Sequence, residues 1–276
     1  MIVAAHQPHY MPWLGYLDKL AKADLFVVMD DLQFIGRNYQ NRQQLKLAEG
    51  PAWLTVPIVR GHSDRILDKQ IEACGNPKQH WQHRHWRTLV SHYGAARYFS
   101  HYADELLDVY TRPWTNLIDL DLHMLALARR WLDIPTPVVR ASKLDLTGAK
   151  TDRLIDLCQK VGARCYLTGV GGSSDYLDVE KVGRAGIGVV WQEFTHPEYP
   201  QRYPAAGFKP RLGFLDLVLN CGPASRDILF DTAHPVRAAG FDATLLDPSK
   251  APSRDAKRVA APPPRSPEVV PVPLQP

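Results

Sequence analysis

The chain lacks any run of 18 apolar residues, so it holds no candidate for a membrane-spanning helix and no membrane insertion is expected. It lacks a basic, then long apolar, opening, so no secretory signal is expected either. Its four cysteines, Cys74, Cys158, Cys165 and Cys221, form no CxxC pair, which argues against zinc-ribbon and dithiol-redox chemistry. A chain of 276 residues can bury enough core to need no disulfide staples, and reduced thiols in a cytoplasmic protein are the expectation. Strong charge of one sign is missing too. The net charge is +4, and residues 247–276, with five Lys/Arg against three Asp/Glu, supply about half of it, so no nucleic-acid partner is expected. No internal repeat is present. A complete phosphate loop is also absent: Gly148-Ala149-Lys150-Thr151 resembles the end of one, but the first glycine and an adjacent Gly-Lys are missing.

What remains is a composition that is 45% hydrophobic and 22% charged, ordinary for a globular protein. Residues 247–276 carry nine of the 23 prolines and no aromatic residue, so they cannot build a core. The expected organisation is one α/β domain over residues 1–240 and a proline-rich disordered tail over 241–276.

Hydrophobic periodicity predicts strands at 1–5, 24–31, 53–59, 137–142, 165–169 and 187–194. It predicts helices at 14–23, 77–93, 102–110, 114–132, 151–163, 180–186 and 213–222. The order is βαβ, a block of helices, then βαβαβ. That implies an open, mostly parallel sheet with a helical insertion over about 77–132. Ligands of such sheets bind beyond the carboxyl ends of the strands. Segments 6–13, 30–42 and 142–152 are expected there.

The first of these segments holds "HQPHYMPWLGY". His6 and His9 follow a strand and precede a helix N-terminus, where two imidazoles and free N–H groups suit an anion. This resembles the His-x-Gly-His of nucleotidyltransferases and suggests a nucleotidyltransferase-like start, although Pro8 stands where the glycine lets phosphate approach. In "DDLQFIGRNYQNRQQLK", Asp30 and Asp31 end a strand, and Gln33, Asn38, Asn41, Arg42 and Lys46 follow. Carboxylates beside guanidinium and ammonium groups suit a magnesium nucleotide, or an amine together with a carboxylate. Thr151 is a predicted helix N-cap, with Lys150 and Arg153 placed to help hold an anion. "LTGVGGSSDYLD" sets glycines after a strand at Gly169, with Ser173 and Asp175 behind, a turn able to cradle phosphate. His80, His83, His85 and His92 crowd one predicted helix without carboxylate or cysteine in ligand spacing. They read as its polar side, with Trp86, Leu89, Val90 and Tyr93 as the core face. Cys158 and Cys165 read as buried small apolar residues, and Cys221 as a thiol at a helix end.

Many of these motifs, in order, resemble the WbqC-like family: His6-Gln7-Pro8, Tyr10, Pro12-Trp13, Leu14-Gly15-Tyr16, Asp24, Asp30, Gln33-Phe34, Asn41-Arg42 and Trp53-Leu54-Thr55-Val56-Pro57. The likeness continues through Lys150-Thr151, Arg153-Leu154, Tyr166-Leu167, Gly169, Tyr176-Leu177-Asp178, "QEFTHPEYPQRY" and "LDLVLNCGP", spanning about residues 1–230. In that family the position of His9 is variable, which shifts weight to His6. Members occur with bacterial surface-polysaccharide genes, and glycine transfer to an O-antigen sugar has been suggested for them. The resemblance therefore implies transfer of an aminoacyl or acyl group to an amine of an activated sugar or related small molecule. Rival readings are a nucleotidyltransferase, or a non-catalytic binding subunit of a biosynthetic complex.

Under the transfer reading His6, Asp30 and Asp31 are the expected catalytic residues. Gln7, Tyr10, Trp13, Gln33, Asn41, Arg42, Lys150, Thr151, Arg153, Gly169 and Asp175 are the expected substrate-binding ones. The acyl group would be activated with ATP and Mg2+ or arrive on an acyl carrier protein. The expected partner is a small-molecule or nucleotide-sugar substrate, and no metal ligand set is assigned.

Overall fold

Successive residues of the first strand face opposite sides of a sheet, and both sides are covered. In β1 (Ile2–His6), Ala4 joins one apolar cluster while Val3 and Ala5 join another. β2 (Leu25–Val28) repeats the pattern, with Phe26 and Val28 on the first side and Val27 on the second. Burial on both faces is why these strands read as unbroken apolar runs rather than as alternation. The computed structural model describes residues 1–61, 65–73, 80–169 and 177–230. Cys74, Ser173, Asp175, Tyr176 and the expected tail lie outside the described residues.

The main sheet holds β1, β2, β5 (Val138–Arg140), β6 (Cys165–Gly169) and β7 (Gly188–Gln192), in the order β5-β2-β1-β6-β7. Every pairing in it is parallel. The chain builds outward from β1 in one direction, then returns past β1 and builds outward in the other. The order therefore reverses between β1 and β6, where a doubly wound sheet opens a crevice.

α1 (Leu14–Ala21) connects β1 to β2 and is buried along its whole length, including Asp18 and Lys19. α2 (Trp81–Tyr93), α3 (Phe99–Thr111) and α4 (Leu117–Trp131) form a helical layer on the same side of the sheet, joined by α7 (Phe214–Cys221) and α8 (Ser225–Phe230). α5 (Lys150–Lys160) and α6 (Val179–Arg184) cover the other side.

Two expectations need correcting. The strand expected at 53–59 is half of an antiparallel hairpin, β3 (Arg42–Leu47) and β4 (Gly50–Thr55). β3 was hidden because polar residues occupy its inward positions. Gln43 and Lys46 are buried, and their heads donate to the carbonyls of Met11, at 3.0 Å, and Gly207, at 2.6 Å. On α2 a buried row runs through Trp81, His85, Leu89 and Tyr93, spaced by four, with Gln82 buried beside it, while Val90 is 43% exposed. His85 thus lies on the core face, not the polar one. Tyr10 explains this, because its hydroxyl meets His85 Nδ1 at 3.0 Å.

Candidate functional site

His6 is the last residue of the central strand and lies beside the point where the strand order reverses. It is only partly buried, whereas His9 and Tyr16 behind it are buried. The His6 ring meets the His9 ring edge-on at 4.7 Å and the Tyr16 ring at 4.9 Å. His6 Nδ1 lies 3.0 Å from the carbonyl oxygen of Gln7, so it carries the proton and Nε2 keeps its lone pair. Burial lowers the imidazole to about 3, helped by the charge of Lys19, so His6 is neutral at pH 7.

Lys19 is the residue that sequence reasoning missed. Its ammonium is buried from α1 and donates to the carbonyl of Ala5 at 2.8 Å. Burial pulls it down to about 8, so it remains largely charged at pH 7. The available signal was a lysine one turn after Gly15 and Tyr16 on a short, otherwise mostly apolar helix. Sequence reasoning also set His9 aside, yet the fold returns it to His6 and leaves its Nδ1 buried without a hydrogen-bond partner among the described residues. Two more buried polar groups lie behind this pair. Among the described residues the Tyr16 hydroxyl has no hydrogen-bond partner, and neither has either carboxyl oxygen of Asp121 on α4. The charge of Asp121 acts on the hydroxyls of Tyr10 and Tyr16, and burial pushes its own carboxyl well above the usual range.

The carboxylates expected to be catalytic are occupied elsewhere. Asp30 is fully buried. It accepts from Arg140 Nε at 2.6 Å, from the Ser142 amide at 2.9 Å and from the Ser142 hydroxyl at 2.7 Å. It ties the end of β2 to the turn after β5 and has no face toward a ligand. Asp31 pairs with Arg153, whose other amino group donates to the Leu146 carbonyl at 2.8 Å. The two expected site residues therefore do meet, but as a clasp between β2 and α5. Among the described residues no group of three His, Cys, Asp or Glu side chains could hold a metal ion. Asp30 spends both oxygens on protein donors, and Asp31 keeps only Oδ1 without a partner among the described residues, so a single carboxylate oxygen is left for the expected Mg2+, and this donor set does not fit it.

The remaining expected residues divide. Gln7 stays at the strand end, where its Oε1 accepts from Gln40 Nε2 at 2.8 Å, and Gln40 in turn accepts from the Ile35 amide. Gly169 ends β6, two residues past the Ala4–Leu167 pair and so in the register of His6. Asn41 is buried and closes the hairpin onto Val56, donating from Nδ2 at 2.8 Å to the Val56 carbonyl. Arg42 lies on the hairpin with its guanidinium 4.1 Å above the Trp53 ring. Gln33 is exposed, and bridges to Arg65. Lys150 is exposed at the start of α5.

Three expected ligand contacts are instead internal struts. Tyr10 is fully buried, bonded to His85 and, at 2.9 Å, to Tyr110. Trp13 packs edge-on against Phe194 at 5.6 Å and fills the space over Gly15, where a Cβ would come within 2.2 Å of its ring. Thr151 is not the N-cap of α5. Ala149 is, and the buried Thr151 hydroxyl accepts from the Asp178 amide at 3.0 Å. Cys158, Cys165 and Cys221 are buried free thiols, and burial pushes the Cys221 thiol up to about 11.

The model of the WbqC-like protein family matches residues 7–228. A curated relative, the uncharacterized protein Rv1507c of Mycobacterium tuberculosis, is 34% identical over 231 residues, covering 82% of this chain and 96% of the relative. No solved structure matches.

Proposed function

The chain belongs to the WbqC-like protein family, and on that premise we propose that it is a group-transfer enzyme, moving an aminoacyl or acyl group onto an amine of an activated sugar or related small molecule. One arrangement carries this reading: a neutral His6 at the carboxyl end of the central strand, with the ammonium of Lys19 beside it.

In the transfer step the amine nitrogen attacks the carbonyl carbon of the activated acyl group. The new C–N bond forms, and the bond to the leaving group breaks with its electron pair. His6 Nε2 takes the proton that the amine loses. An imidazole lowered to about 3 is a weak base in the free protein. An anionic substrate beside it would offset both burial and Lys19, and so raise its basicity where it is needed. Lys19 uses one donor on Ala5, and an ammonium has two more, which suit the negative charge developing on the carbonyl oxygen or leaving group. Gln7, held by Gln40, fixes the loop beside His6. Asp30 and Asp31–Arg153 act in this reading as positioning residues that fasten β2 to its neighbours.

Activation with ATP, in a nucleotidyltransferase-like site, and delivery on a carrier thioester both supply such an acyl group. The test therefore runs both. Purified full-length protein is given ATP, Mg2+ and an amino-acid panel, and ATP–pyrophosphate exchange is followed. In parallel it is given acyl-carrier thioesters and hydroxylamine, and hydroxamate is measured. We expect turnover in one of the two, lowered at least about 100-fold by His6→Ala. Silence in both assays, or an H6A variant that keeps its fold and full activity, would overturn the reading.

A further inference from the structure

The hairpin carries a feature that the transfer step does not use. Trp53, on β4, is 39% exposed, one of few large apolar side chains so open. Its ring lies 5.7 Å from Tyr39, Tyr39 lies 5.5 Å from His9, and His9 lies 4.7 Å from His6. Half-buried Tyr39 and exposed Trp53 thus continue the ring series outward from the candidate base to the surface. Arg42, on the paired strand, sets its guanidinium over the Trp53 ring, and one amino nitrogen donates to the Arg37 carbonyl. A guanidinium carries five N–H groups, so donors remain for an anion placed at the ring edge.

We propose that Trp53, Tyr39 and Arg42 form a subsite for a nucleoside phosphate, whose base stacks on the Trp53 ring with Tyr39, inclined at 52°, flanking it, while a phosphate meets Arg42. This names the activated substrate of the transfer reading and rests on it for the chemistry at His6. Three observations select this occupant. A face of tryptophan beside tyrosine favours a flat ring, since stacking needs a π-face rather than a defined hydrogen-bond pattern. Arg42 brings a positive charge to the platform and the charge of Arg37 acts on it, which asks for an anionic group next to that ring. Ring contacts through Tyr39 and His9 join the platform to His6, which ends β1 beside the reversal of strand order, where doubly wound sheets take nucleotides.

The test is equilibrium binding by calorimetry on the full chain, without turnover, using UDP, AMP, uridine, glucose 1-phosphate and inorganic phosphate as probes. UDP or AMP should bind. Trp53→Leu should weaken that binding about tenfold or more, and Trp53→Phe should restore most of it. Arg42→Gln should weaken UDP but not uridine. Inorganic phosphate and glucose 1-phosphate should bind at least tenfold more weakly than UDP. The Phe–Leu contrast separates a lost ring from a disturbed hairpin. Unchanged binding in W53L, no binding of UDP or AMP at millimolar concentration, or glucose 1-phosphate binding as tightly as UDP would each overturn the subsite. Because no turnover is measured, nucleotide binding in a protein that fails both transfer assays would leave the subsite standing and remove the transfer reading.

Discussion

At the scale of residues, Asp121 is the least comfortable group among those described. A carboxyl with both oxygens buried and unpartnered is costly to ionise, and burial raises its pKa well above the usual value. A group whose folded pKa is raised holds its proton in the folded state after the unfolded chain has lost it. Its contribution to stability therefore falls as pH rises from the ordinary carboxylate range toward the folded value. Asp121→Leu should accordingly raise the melting temperature, by an increment that grows between pH 5 and pH 8. Thermal unfolding of both proteins across that range checks this. A lowered melting temperature would instead show that the carboxyl is engaged in solution. Gly15 is the converse case, a residue chosen by its neighbour. The Trp13 ring occupies the space of a side chain there, so the glycine follows from packing rather than from helix preference.

Among elements, the hairpin, α2, α7 and the segment after β7 are held together by one buried carboxylate. Asp216 on α7 accepts from Tyr93 on α2 at 2.6 Å, from Tyr199 at 2.9 Å and from Gln201 at 2.7 Å. The Tyr93 hydroxyl in turn accepts from the Lys46 amide of β3 at 3.0 Å. Burial raises the Asp216 carboxyl while its three donors and Lys46 pull it back. Asp216→Ala would leave the buried Tyr93 and Tyr199 hydroxyl donors unpaired, while half-buried Gln201 keeps the Lys209 carbonyl, so a loss on the order of 3 kcal/mol is expected in urea unfolding. A loss below about 1 kcal/mol would mean that these elements are held by apolar packing alone. This network also accounts for "QEFTHPEYPQRY" and "LDLVLNCGP" as motifs: they supply Tyr199, Gln201 and Asp216, which meet only in the folded chain.

Over the whole molecule, acid should be the destabilising direction. Burial lowers His6 and His85 to about 3, and lowers His9 as well, whereas the unfolded chain takes up those protons near 6.5. Depressed folded values give stability that is present above the unfolded pKa and lost as pH falls from about 6.5 toward about 3. For the well-buried His85 this amounts to roughly 2 kcal/mol by pH 5. Urea midpoints at pH 7, 6 and 5 should fall in the native chain and fall less steeply in His85→Gln. Parallel slopes for the two proteins would show that His85 is not the group responsible. The acid-sensitive groups cluster around the first strand and α2, which joins the stability of the fold to the same buried rings that line the candidate site.

Period and punctuation in the sequence were enough to locate the strands of the main sheet, α1 to α7 in order though not α8, and His6 at the end of the first strand. Those features depend on neighbours a few residues apart, which the sequence displays directly. The hairpin was not legible as a pair, because β3 buries glutamine and lysine whose partners, Met11 and Gly207, are distant in the chain. Nor was the fate of Asp30, Asp31 and Tyr10, since a polar side chain at a strand end looks the same whether it faces a ligand or a partner a hundred residues away. Tertiary structure alone decided that Lys19 joins His6 and that Tyr39 and Trp53 extend the row, and it restored the His6–His9 pair. Residues that share no helical or strand period are brought together only when the sheet and hairpin close around them.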